Sequence, residues 1–171
     1  FALTDTDGHS ASITVNVIVY PKGFIAEKAE LEKYYDDLPD TSRCYEGKLK
    51  SAEKQTVLAK INEIRTLHKL PAVSYDAGQD NNTAKAALMI VANNETNHQP
   101  NSGDYCFSDQ GAYGLSKSTL HINAYQQASD IQESSSPILY FLKDKNTDYL
   151  GMRRGLLDPF LKSLSFGRAD G

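Results

Sequence analysis

The chain has 171 residues, of which 40% are apolar and 23% charged, with a formal net charge of −4 and a pI of about 5.5. That composition belongs to a globular domain rather than a disordered segment, and its acidic balance speaks against nucleic-acid binding, which uses a basic surface. No apolar run approaches the roughly 20 residues that a bilayer-spanning helix needs, so no transmembrane segment is expected. Phe1-Ala2-Leu3 does not read as a natural start and shows no leader. The sequence is therefore expected to be covalently part of a longer multidomain protein. Its two cysteines, Cys44 and Cys106, form no metal motif. Two readings stay open for them: a disulfide if the protein is exported, two buried thiols if it is not.

Residues 3–20 read LTDTDGHSASITVNVIVY. Asp5-Thr6-Asp7-Gly8 is turn chemistry, and a polar turn is preferred there over a calcium-ligand set. Ile13, Val15, Val17 and Val19 then alternate with Thr14, Asn16 and Ile18, which predicts a half-buried strand. Pro21-Lys22-Gly23 stops it. A T-D-x-D-G turn before a final strand resembles the last hairpin of a bacterial immunoglobulin-like or cadherin-like module. That resemblance implies that residues 1–22 are the C-terminal strands of such a sandwich. A strand this apolar needs sheet partners, either upstream or borrowed from elsewhere. Residues 23–50, with Glu27, Glu30, Glu32, Asp36 and Asp37 around Tyr34, Tyr35 and Leu38, read as a polar linker containing a short helix over 26–35.

Helical spacing is clearest over 51–69, where Ser51 suits an N-cap, Glu53 the first turn, and Val57, Leu58, Ile61, Ile64 and Leu67 one face. Leu70-Pro71 ends it. A second helix is predicted over 78–94, with Ala84, Ala87, Leu88 and Val91 on a face whose small residues permit close packing. Residues 95–123 read as a long irregular loop containing Pro100, Gly103, Gly111 and Gly114. Ser136-Pro137 opens a third helix carrying Ile138, Leu139, Phe141 and Leu142. Leu164, Phe166 and Gly167 begin a strand.

Candidate chemistry is sparse. His98, just past the second helix, could act as metal ligand or general base, although a lone histidine is more often a surface hydrogen-bonding residue. His121 is a second candidate beside it, while His9 and His68 look incidental. The chain holds no P-loop, G-x-G-x-x-G, HExxH, CxxC or G-x-S-x-G. A pairing of Ser116 or Ser118 with His98 has no specific pattern behind it. Arg153 and Arg154 suit an anion, but internal pairing of one with an acid such as Asp158 is preferred. Tyr105, Tyr113 and Tyr125 fit a glycan site or local packing.

The helix VLAKINEIRTLHKLPAVSYD, a second alanine-rich helix ending N-x-x-x-x-H at His98, and the later run LGMRRGLLDP together resemble the CAP superfamily (cysteine-rich secretory proteins, antigen 5, pathogenesis-related 1). Arg65, Leu70 and Pro71 fall where that pattern expects them. The resemblance covers residues 51–171 and implies an α+β fold, an α-β-α sandwich with an open cleft. In many members two histidines and two acids line the cleft, and some bind zinc or another divalent ion. This chain departs from the pattern. Met152 stands at the second histidine position, Gly155 replaces an aromatic, GLSKSTL at 114–120 replaces a G-E-N segment, and Glu133 is the only nearby acid. A thioether is a poor zinc ligand. The expectation is a degenerate metal site with no cofactor, zinc being conceivable only through His98. The cleft would serve as a recognition groove near His98, Ser118, Met152 and Arg153. The function expected is non-catalytic binding or adhesion, extracellular or at a bacterial cell surface, to a lipid, glycan or protein. The alternative is a hydrolase using His98 as base with Ser118 or a metal-bound water; a third reading is a spacer between modules. The family's sheet continues with further strands, so here a sheet edge is expected to stay incomplete unless another chain fills it.

Overall fold

A computed structural model describes residues 10–19, 28–125, 128–143 and 151–171. The turn at 5–8 with its calcium alternative, His9, and the stop at 21–23 lie outside them. Along the chain the elements are β1 (Ser10–Val19), α1 (Lys28–Leu31), β2 (Tyr35–Asp37), β3 (Lys48–Leu49), α2 (Ser51–Leu67), β4 (Ser74–Tyr75), α3 (Asp80–Asn93), α4 (Asp109–Lys117), β5 (Ser118–Ala124), α5 (Ser136–Lys143), α6 (Gly151–Leu156) and β6 (Leu161–Asp170). The chain is thus a mixture of helix and strand. Four strands form one sheet in the order β4-β6-β1-β5, and each neighbouring pair is parallel. β2 and β3 form a separate antiparallel ribbon.

The strand predicted near the start of the chain forms, and it lies inside the sheet. Its residues Ile13 to Val19 pair with Ser118 to Ala124 of β5, and Ser12 to Ile18 pair with Leu164 to Asp170 of β6. An inner strand has both rows of backbone groups satisfied, which no isolated strand achieves. The segments assigned by sequence to two different modules therefore share one sheet. The described part of the predicted linker, residues 28–50, forms regular structure. It carries α1, β2 and β3, buries Tyr35 and donates Lys50 N–H to Tyr34 O at 2.9 Å.

Helices cover both faces of the sheet. On one face Ala86, Ala87, Met89, Ile90 and Val91 of α3 and Leu115 of α4 pack on Leu120 and Ala169. On the other, Val57, Ile61 and Ile64 of α2, Ile138 and Phe141 of α5 and Leu156 of α6 pack on Leu161, Leu164 and Phe166. α2 starts at Ser51 as expected, but Lys50 occupies the cap position and makes no side-chain cap. Its ammonium instead donates to Glu32 O at 2.5 Å and Lys33 O at 3.1 Å. The helix ends at Leu67, before Leu70-Pro71, and Lys69 takes a left-handed φ of 58°.

Two residues of the N-x-x-R run then lock the end of α2. Asn62 donates to Val73 O at 3.0 Å and accepts from Val73 N–H at 2.8 Å. Arg65, fully buried, donates to Pro71 O at 2.9 Å, Leu156 O at 2.9 Å and Asp158 O at 3.0 Å. Through these carbonyl groups it ties α2 to two other segments, the turn at Pro71 and the end of α6, so its role is architectural.

The predicted loop over 95–123 is half regular. Ser108 caps α4 by accepting Gly111 N–H at 3.1 Å, and β5 follows directly. Gly111 and Gly114 misled the sequence reading because both look like loop residues. They are helical, and each is small where α4 crosses α3: a Cβ on Gly111 would lie 2.5 Å from Met89 Sδ, and one on Gly114 2.3 Å from Asn82 O. Cys44 and Cys106 form a disulfide across a sequence separation of 62. In the chain-entropy account a loop of that size is worth about 4 kcal/mol.

Gly167 is where α3 lies directly on β6, since a Cβ there would sit 2.2 Å from Thr83 O. Gly167→Ala should lower the unfolding free energy by about 1–3 kcal/mol or more in urea titration. Gly103→Ala, with no atom within 4 Å of its added methyl, should change it by less than about 0.5 kcal/mol. Equal stability of both variants would refute the close seating of α3.

Candidate functional site

The four residues expected to line one groove are distributed over both faces of the sheet. His98 is exposed, and its Nδ1 lies 2.8 Å from Leu115 O at the end of α4. A carbonyl only accepts, so the ring donates through Nδ1–H. Ser118, buried where α4 meets β5, donates its hydroxyl to Gly114 O. Successive strand residues face opposite ways. Thr119 therefore lies on the other face, where it lines a small apolar gap of about 10 Å³ with Phe141, Met152 and Leu164. Met152 packs against the core of α2, α5 and α6. Arg153 donates to Leu142 O at 2.7 Å and Lys143 O at 3.3 Å, holding the last carbonyls of α5. Arg154 is exposed. The structure brings His98 and Ser118 to one end of α4 and sets Met152 and Thr119 across the sheet from them. They form no common groove.

The remaining candidates also disperse. His121 stacks on Tyr140 at 4.6 Å between ring centroids and meets Phe141 edge-on at 5.9 Å; burial lowers its pKa. Ser116 bonds Tyr113 O, Glu133 and His68 are exposed, and Tyr125 is buried while Tyr105 and Tyr113 are exposed. Among the described residues no three His, Cys, Asp or Glu side chains gather as a metal site.

The polar centre of the molecule lies elsewhere, at the C-terminal end of β6. Arg168 and Asp170 share one strand face with their side chains 0% exposed. Nε and Nη2 of Arg168 donate to the two Asp170 oxygens at 2.8 and 3.2 Å. Nη1 donates to Gln132 O and Ser134 Oγ, both at 3.1 Å. Tyr35 donates its hydroxyl to Asp170, and the Tyr34 ring centroid lies 4.3 Å from the guanidinium carbon. Burial works against the arginine charge; the Asp170 carboxylate more than offsets it and leaves the guanidinium pKa above its ordinary value. Sequence reasoning missed this pair. The available signal was an opposite-charge i, i+2 spacing in the last strand.

Beside it the sheet edge opens. β4 pairs with β6 only as far as Tyr75 with Leu164. Phe166 N–H reaches Tyr75 Oη at 3.4 Å, and that hydroxyl lies 3.5 Å from Phe166 O, so the Phe166 backbone points toward β4. By strand alternation the N–H and C=O of Arg168 point the same way, past the end of β4. A cavity of about 170 Å³ lies there, bounded by Glu46 to Leu49, by Lys54 of α2, by Asp80, Asn81 and Ala84 of α3, and by Phe166 to Arg168. Gly47, at φ 70°, shapes its outer wall; a Cβ would lie 2.6 Å from Pro39 N.

Each cation at the cavity has an acid beside it: Lys54 has Asp80, Arg168 has Asp170, and Lys48 has Asp36 at 3.7 Å. Lys54 Nζ lies 2.6 Å from Asp80 Oδ2. Asp80 Oδ1 accepts from Tyr75 at 2.6 Å and from Ser165 at 2.9 Å. Burial and the bond to Asp80 raise the Tyr75 phenol pKa well above its usual value, so it acts as a donor and not as a base. The arrangement suits recognition: ion-paired cations, strand backbone groups with no partner among the described residues, and an apolar lining from Leu49, Ala84 and Phe166.

No protein-family model matches the chain, and neither a curated protein nor a solved structure matches it.

Asp170→Ala should cost about 3–5 kcal/mol in chemical denaturation, because it leaves Arg168 charged and buried without its partner. Replacing both, Arg168→Met with Asp170→Leu, should cost less than Asp170→Ala alone. A double variant as unstable as the sum of its single changes would show that no such coupling exists.

Proposed function

We propose that the chain is a non-catalytic binding module of an exported protein and that the cavity beside β6 is its recognition site. The observation that carries this reading is a cavity in which Lys54 and Asp80 are bonded to each other, while Arg168 and Lys48 pair with Asp170 and Asp36 beside it. At about 170 Å³ it is smaller than the roughly 300–1,000 Å³ of pockets that enclose drug-sized ligands. It therefore takes one residue-sized group of a larger ligand. A lipid chain would not fit, which leaves a protein or a glycan.

Export is supported by the Cys44–Cys106 disulfide, a bond that persists in oxidising compartments. No described helix is long and apolar enough to cross a membrane. Kinship with the CAP superfamily is supported by the order of α2, α3, α5 and the L-G-M-R-R run, and by helices on both sheet faces. In that reading the family's metal cleft has degenerated here: Met152 packs into an apolar core, and the His98 ring is tied to a backbone carbonyl. The hydrolase alternative asks for a second catalytic group at His98, whereas the Ser118 hydroxyl is buried and bonded to Gly114 O.

Calorimetric titration of zinc into the folded protein, with His98→Ala run beside it, separates the two. The binding-module reading expects no saturable heat at micromolar zinc in either protein. Heat that saturates in the parent and vanishes in His98→Ala would restore a metal site at His98 and move the hydrolase reading to first place.

A further inference from the structure

We infer that the cavity beside β6 recognises one uncharged residue of an extended peptide, which adds to the open edge of the strand at Arg168. The inference rests on the cavity being the recognition site. It is carried by the backbone. Both the N–H and the C=O of Arg168 face the cavity, because Phe166, two residues earlier, directs its own pair at Tyr75 on that edge. Among the described residues neither group has a backbone partner beyond β4.

A donor and an acceptor on one strand residue are matched by the acceptor and donor of one opposing residue. That two-point exchange is how a peptide strand is added to a sheet edge. A single amide cannot make both bonds, since its N–H and C=O point in opposite directions. The occupant is therefore a residue flanked by two amides.

Charge and size narrow it further. The lining carries three cations, Lys48, Lys54 and Arg168, and these pair with Asp36, Asp80 and Asp170. Each cation of the lining is thus already neutralised by an acid, which disfavours a charged occupant. Leu49, Ala84 and Phe166 offer apolar contact to a side chain. The volume admits a residue and not a folded partner, so the rest of the peptide lies outside.

The test is amide NMR titration of the whole chain with three probes: N-acetyl-alanine N′-methylamide, its analogue with an ester oxygen in place of the alanine N–H, and N-acetylglucosamine. The inference expects saturable shifts at Gly47, Asn81, Gly167 and Arg168 with the blocked alanine. It expects binding at least about tenfold weaker for the ester, which leaves the Arg168 carbonyl without a donor. Equal binding of amide and ester would overturn strand pairing while leaving the cavity as a binding site. Shifts from the sugar alone would overturn the peptide assignment in favour of a glycan, again leaving the cavity. No shift from any probe would remove the cavity as a recognition site, and both readings with it.

Discussion

The buried ion pair between Arg168 and Asp170 dictates how the C-terminal end of the sheet is covered. Removing two charges from water costs several kcal/mol per ion unless their hydrogen-bonding capacity is filled. Here the two groups bond each other twice, and the remaining capacity draws in other segments. Tyr35 comes to Asp170, while Ser134 and Gln132 come to Arg168. The segment between α1 and α2 is thereby pulled onto β6, and the turn before α5 onto the same face. A stretch that reads as a linker becomes a strap: Lys50, its last residue, bonds back to Glu32 and Lys33 at its start, and the disulfide fixes Cys44 within it.

The cavity follows from a mismatch in length. β4 is two residues long and β6 is ten, so among the described residues most of that edge of β6 has no neighbouring strand. The strap spans the gap without filling it. Its own strands pair with each other and not with β6, leaving the backbone of Arg168 facing the space. The same economy shows at the opposite face, where Gly114 and Gly167 let α3 settle against both α4 and β6. The site is thus a by-product of good packing on one side and a short strand on the other.

Much of the secondary structure is legible from local pattern. The amphipathic run of α2, the alanine-rich α3, the Ser-Pro start of α5 and the alternating β1 each form near their expected bounds, because burial and propensity agree there. α4 was hidden because its glycines serve helix crossing and imitate a loop. The site was hidden for a different reason. Tyr35 and Lys54 are far in sequence from the Arg168–Asp170 pair, and none of these types carries a motif; the fold alone brings them to one end of β6. His98 and Met152 were conspicuous by pattern, yet alternation between Ser118 and Thr119 sets them on opposite sides of the sheet.

Amide hydrogen exchange along β6 tests the central claim, that one edge of this strand is paired with β1 and the other is open beneath the strap. The account predicts alternation: the amides of Gly167 and Ala169, which face β1, exchange only through global unfolding, while that of Arg168 exchanges much faster although its side chain is buried. Uniform protection of all three would contradict the open edge, and uniform rapid exchange would contradict the placement of β1 in the sheet.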